Sequence, residues 1–155
     1  MMKITMFQKI VITVGIAITA ISFMLIQLNN FTHDSSLNSW DEGVNGYISS
    51  MRKQKESAKP IALFFYTDWC PNCKKLREEI LSTPEVQAFM NDLLPVRINP
   101  EKGPLENQLS EEFGVFGYPT VIIIPGVDKK PVVIKRTNNI SPAQFIQQCR
   151  QALSA

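Results

Sequence analysis

Apolar positions along this chain repeat with three different periods, and each period predicts a different kind of element. The first block is a continuous run from Ile10 to Ile26, extended by Leu28, without one charged side chain. Its length approaches the ~20 residues a helix needs to cross a hydrocarbon layer. Lys3 and Lys9 precede it, and no basic residue follows before Arg52. Positive charge stays on the cytoplasmic side. The expectation is therefore a single-pass signal anchor over 10–28, a cytoplasmic N-terminus over 1–9, and the rest of the chain on the far side. A cleaved export signal has a shorter apolar core, about 7–15 residues, closed by small residues. Here Ala17 and Ala20 lie mid-run, and Phe23-Met24-Leu25-Ile26 follow them. A buried soluble helix would need apolar partners on every side. Residues 29–39 are polar and read as a linker. His33, the only histidine, lies there and is given no role.

From Trp40 the period becomes helical, with Trp40, Val44, Ile48 and Met51 on one face until Lys59-Pro60. Ile61-Ala62-Leu63-Phe64-Phe65-Tyr66 is a short unbroken apolar run, as in a strand buried on both faces. A helix is expected after Cys70, with Leu76, Ile80 and Leu81 inward. Ser82-Thr83-Pro84-Glu85 predicts another helix start, Ser82 and Glu85 forming a capping box. Val86, Phe89, Met90 and Leu93 form its buried face. Leu94–Ile98 alternates like a strand. Leu105–Phe113 reads as a helix stopped by Gly114. Thr120–Ile124 and Val132–Arg136 read as a hairpin about Asp128-Lys129-Lys130. Ser141-Pro142 starts a last helix with Phe145, Ile146, Cys149 and Leu153 inward. This order predicts one α/β domain over 40–155, with parallel crossovers and a closing antiparallel hairpin.

Charge narrows the partners. With Lys3 and Lys9 set aside, 14 basic residues face 14 acidic ones, so the exported part is formally neutral. That argues against a nucleic-acid partner. Export also sets the redox context, because disulfides persist outside the cytoplasm.

The candidate chemistry lies in Trp69-Cys70-Pro71-Asn72-Cys73-Lys74. Two cysteines at i and i+3 on the first turn of a helix are close enough to bridge. The helix N-terminus favours a Cys70 thiolate, which attacks a substrate disulfide; Cys73, more buried, resolves the mixed disulfide. A purely structural bridge closing so short a loop would constrain little. A zinc site would need more ligands, and no second Cys/His pair is present. Strand, Cys-x-x-Cys and helix in that order point to redox chemistry. Cys149, on the apolar face of the last helix, reads as a buried free thiol.

Phe65-Tyr66-Thr67-Asp68-Trp69-Cys70-Pro71-Asn72-Cys73-Lys74 resembles the active-site segment of the thioredoxin superfamily. Phe113-Gly114-Val115-Phe116-Gly117-Tyr118-Pro119-Thr120 resembles its second signature, a loop ending in a cis-proline. Together with Leu81-Ser82-Thr83-Pro84-Glu85-Val86-Gln87, the pattern is similar to the C-terminal domain of DsbD-type thiol:disulfide interchange proteins over about residues 40 to 153. The resemblance implies a thioredoxin-like fold, a central mixed sheet of about four strands flanked by helices. It makes Cys70 the nucleophile, Cys73 the resolving thiol, Trp69 the flanking aromatic and Pro119 the cis-proline facing them. The backbone of Tyr118 would then hold an extended substrate strand. Pro71 and Asn72, the dipeptide between the cysteines, do not fix the direction of electron flow. Two positions depart from the family pattern. A buried aspartate six residues before the nucleophile is replaced by Phe64, and a glutamate seven residues after it by Arg77. Acid–base assistance is left to water, Asp68, Glu78 or Glu79, and the site is expected to be more oxidising than thioredoxin.

The resulting expectation is an inner-membrane thiol–disulfide oxidoreductase with its catalytic domain periplasmic or extracellular. It reduces or exchanges disulfides of exported proteins and takes electrons from an integral-membrane thiol relay. It needs no organic cofactor and no metal, because the dithiol carries both electrons. The alternatives are an oxidase or isomerase on the same fold, and a non-catalytic tethered module that binds thiols or metal.

Overall fold

The computed structural model describes Leu37, residues 39–135 and residues 137–155, together with Gly15, Ile18, Thr19, Ile21, Ser22 and Met24 near the N-terminus. Those six are helical and exposed. The rest of the expected anchor over 10–28, the segment 1–9 and most of the linker lie outside the described residues, as does Arg136. Among the described residues no helix is long and apolar enough to cross a membrane. Residues 1–35 and 36–155 form two separate units, and everything below concerns the second.

Its elements are β1 (Asp41–Glu42), α1 (Gly43–Ser57), β2 (Ile61–Phe65), α2 (Pro71–Leu76, continuing as a π-turn over Arg77–Leu81), α3 (Pro84–Met90), β3 (Leu94–Ile98), a 3₁₀ turn (Pro100–Lys102), α4 (Pro104–Glu112), β4 (Thr120–Ile124), β5 (Val132–Val133) and α5 (Pro142–Leu153). The five strands run in the order β1-β3-β2-β4-β5. β3 lies parallel to β1 and β2, whereas β4 is antiparallel to both β2 and β5. Central β2 is buried along its whole length, as its unbroken apolar run predicts. Alternation divides the core between the two faces. Ala62, Phe64, Val121 and Ile123 meet Leu76, Leu81, Val86, Met90, Phe145 and Cys149 on one side. Ile61, Leu63, Phe65, Ile122 and Ile124 pack with Val96, Ile98 and Leu109 on the other, covered by Val44, Tyr47 and Met51 of α1.

Four local expectations need correction. First, the helix expected from Trp40 begins at Gly43, and Asp41-Glu42 form an edge strand paired with Val96 and Arg97. Two residues are too few to show strand alternation, and Gly43 at φ 65° makes the corner between strand and helix. Trp40 is buried ahead of that corner, edge-on to Phe64. Second, α1 turns Ser50 and Gln54 inward, while Ile48 is 48% exposed. Gln54 Nε2 donates to the Ile124 carbonyl at 3.1 Å, and Ser50 Oγ to Asp41 at 3.3 Å, so the Ser50 hydroxyl and the Gln54 amide nitrogen are partnered where they are buried. Third, no capping box forms at Ser82. Its hydroxyl donates back to the Glu78 carbonyl, Thr83 donates to Ile80, and Thr83 is the N-cap. The π-turn forces this: Ser82 N–H reaches back five residues to Arg77 O, at 2.9 Å. The capping box forms instead at Ser141 and Gln144. Fourth, β5 ends at Val133. Ile134 continues inward, 5% exposed, with its N–H on Val121 O.

Candidate active site

The C-terminal end of β2 delivers the chain through Thr67-Asp68-Trp69 to Cys70, the N-cap of α2. Pro71 follows at the first helical position, where its missing N–H costs nothing. Cys70 and Cys73 form a disulfide across that turn, with Cα atoms 5.2 Å apart. The Cys73 N–H points at Cys70 Sγ, 3.1 Å away. One helix N-terminal donor is thus already aimed at the Cys70 sulfur, where it would favour a negative charge. Cys70 is 6% exposed and Cys73 3%, so both are buried and Cys70 is the more open residue of the pair. Pro71 and Asn72 are exposed beside it.

Two side-chain contacts fix the approach loop. The Trp69 indole N–H donates to Glu101 Oε1 at 2.8 Å, and Lys102 Nζ to Asp68 Oδ2 at 2.9 Å. Glu101 and Lys102 belong to the 3₁₀ turn after β3, which Asn99 caps through Glu101 N–H. The indole ring itself stays open, with Trp69 68% exposed. The hydrogen bond to Asp68 holds Lys102 above the usual lysine pKa.

The second loop reaches the same end of the sheet, because Thr120 of β4 pairs with Phe65 of β2. The Tyr118–Pro119 peptide bond there is cis. Tyr118 and Pro119 are partly exposed, and Phe116, three residues earlier, is fully exposed.

Below the bridge lies a pocket of about 90 Å³. Phe64 and Tyr66 form its aromatic wall, their rings stacked 5.4 Å apart. Burial, followed by the charge of Glu42, raises the Tyr66 pKa and keeps the phenol neutral. The polar lining is Thr67, Asp68, Lys74, Arg77 and Arg97. Asp68 is therefore the one acid–base candidate that reaches the pocket. Glu78 lies 3.9 Å from Lys74 and 4.0 Å from Arg77, and Glu79 pairs with Lys75 outside. Burial alone pushes the Cys149 thiol, on α5 in the same core, up to about 12.

The structure thus brings Trp69, Cys70, Pro71, Asn72, Cys73, Tyr118 and Pro119 to one end of the sheet. It adds Thr67, Arg97, Glu101, Lys102 and Phe116, which sequence reasoning missed. Lys102 reaches Asp68, Arg97 reaches Glu42 and Glu101 meets Trp69 across more than thirty residues each, and no local pattern announces them.

Cysteines bridged at the mouth of a helix, with a cis-proline loop at the same sheet end, can be set against known proteins. A sequence profile described as "Thioredoxin-like domain" matches residues 48–152. The chain belongs to this family. Thioredoxin-superfamily relatives of DsbD type include the thiol:disulfide interchange protein DsbD of Photorhabdus laumondii, 32% identical over 95 residues, 61% of this chain and 16% of that protein. DsbD of Haemophilus influenzae is 36% identical over 73 residues, 46% of this chain and 13% of the relative. The chain thus spans a small fraction of the length of these relatives. Among solved structures, the oxidised DsbD C-terminal domain of Neisseria meningitidis superposes with TM-score 0.59 and 26% identity, covering 73% of this chain and 98% of that one. A structure titled DsbH oxidoreductase gives TM-score 0.64 at 24% identity, covering 74% and 83%, a likeness of fold. Within this thioredoxin-like, DsbD-like domain, Cys70 and Cys73 form a Cys-x-x-Cys disulfide.

Proposed function

We propose that this protein is a membrane-anchored thiol:disulfide oxidoreductase that reduces or exchanges disulfides of exported proteins. The observation that carries the reading is the Cys70–Cys73 bridge, with Cys70 as N-cap and its sulfur already facing the Cys73 N–H. Reduced Cys70 attacks one sulfur of a substrate disulfide and expels the other as a thiolate. The product is a mixed disulfide on Cys70 Sγ. Cys73 Sγ then attacks Cys70 Sγ, re-forms the bridge and releases the second substrate thiolate. Two electrons pass to the substrate, and the dithiol becomes the disulfide. Trp69 and Pro71-Asn72 form the open rim beside Cys70, and the Tyr118 backbone offers hydrogen bonds to an extended substrate strand.

The charge-free run over 10–28, with Lys3 and Lys9 before it, supports an inner-membrane anchor and a periplasmic domain. An integral-membrane thiol relay re-reduces the bridge, and tethering raises the effective concentration of the two partners. The thiol:disulfide interchange names of the relatives support this assignment. The site requires no organic cofactor or metal.

Trapping tests the reading. Cys73→Ala should hold a substrate on Cys70 as a mixed disulfide that mass spectrometry identifies, and Cys70→Ser should lose insulin reduction. A wild type that reduces no insulin, together with a Cys70→Ser variant that still complements in the cell, would replace the enzyme reading with a tethered binding module. The cationic pocket lining favours one further reading, an oxidase on the same fold, which a measured reduction potential separates from a reductase.

A further inference from the structure

Cys73 is 3% exposed, so ionising it means placing an anion away from water, which by itself raises a thiol's pKa. The resolving step nevertheless needs that thiolate. The pocket under the bridge bears on this demand, because its charged lining is three cations, Lys74, Arg77 and Arg97, against one carboxylate. That carboxylate, Asp68, is itself engaged from outside by Lys102 at 2.9 Å. Two buried polar atoms of the lining residues, Thr67 Oγ1 and Arg97 Nε, have no hydrogen-bond partner among the described residues. Both can donate.

Every element around Cys73 contributes to the balance. On its own helix Arg77 follows by one turn, its backbone N–H on Cys73 O, and Glu78 moderates Arg77 and Lys74 from 4.0 and 3.9 Å. From β3 comes Arg97, held at 2.9 Å by Glu42 of β1. The end of β2 contributes Tyr66, neutral, and the paired Asp68. From α5 comes Cys149, a neutral thiol in the same core. Both guanidinium groups are largely withdrawn from solvent, with side chains 31% and 26% exposed, so screening weakens them less than Lys74.

We propose that Arg77 and Arg97 are positioning residues that hold Cys73 as a thiolate once the bridge opens. Resolution then proceeds without a carboxylate base. This rests on the reading of Cys73 as the resolving thiol. Its proton passes to water in the pocket, which has room for it beside the Thr67 hydroxyl, and from there to solvent. The anion then attacks Cys70 Sγ, displaces the substrate thiolate and closes the disulfide.

The test isolates one thiol in the full chain. In Cys70→Ser/Cys149→Ala, thiolate absorbance at ultraviolet wavelengths reports Cys73 alone as pH is raised. Adding Arg77→Gln or Arg97→Gln should raise the midpoint by about one pH unit, and Arg77→Lys should keep it near the parent value. A midpoint unmoved in both glutamine variants, or raised as far by Arg77→Lys, overturns the proposal. The titration involves no turnover. Insulin reduction by the wild type therefore separates failure of this proposal from failure of the functional reading.

Discussion

Among single residues, Cys149 has the plainest measurable signature. It is fully buried on α5, and burial lifts its thiol from 9.0 to about 12. A folded-state pKa raised above the unfolded value means that above pH 9 the unfolded chain ionises first. Its stabilising contribution is complete below that pH and is lost progressively as pH rises toward 12. Denaturant midpoints between pH 9 and pH 11 should therefore fall more steeply in the wild type than in Cys149→Ala. Parallel slopes would mean that the thiol is solvated. The same environment makes Cys149 inert, and alkylation of the reduced, folded protein should modify Cys70 well before it.

Elements show where sequence reasoning works and where it stops. β2 and β4 were legible because unbroken apolar or β-branched runs have few other uses. The start of α1 was not, because Trp40 fits both a helix face and a plug over Phe64. Only the parallel pairing of Asp41 with Val96, a contact 55 residues long, decides between them. Gly46 seals this corner: a Cβ there would lie 2.9 Å from the Asp41 carbonyl carbon. Gly46→Ala, ordinarily favourable within a helix, should here cost about 1–3 kcal/mol in urea unfolding. A stabilised variant would show that β1 and α1 are not locked together. The Cys-x-x-Cys pair and Pro119 were readable as motifs, whereas Glu101 and Lys102 reach the site only through the turn after β3.

At the scale of the molecule, the proposed stabilisation of thiolates by the charge around the bridge carries a prediction for the reduction potential. Groups that favour thiolates stabilise the reduced form and raise the potential. The Cys70–Cys73 couple should therefore lie above the about −270 mV of thioredoxin when equilibrated against glutathione. Arg77→Gln should lower it, and a wild-type value at or below thioredoxin's would remove the electrostatic argument. The pocket wall between these charges is aromatic, made by Phe64 and Tyr66, with Trp40 packed edge-on against Phe64.

The π-turn at Arg77–Leu81 acts as an angular spacer between the redox end of α2 and the part wedged into the core. One residue subtends about 100° of an α-helix. Excising a single residue from this stretch would rewind it to ordinary pitch and swing the cysteines by roughly that angle off the mouth of the sheet. The exposed Glu79 can therefore vary far more freely than the length of this stretch can.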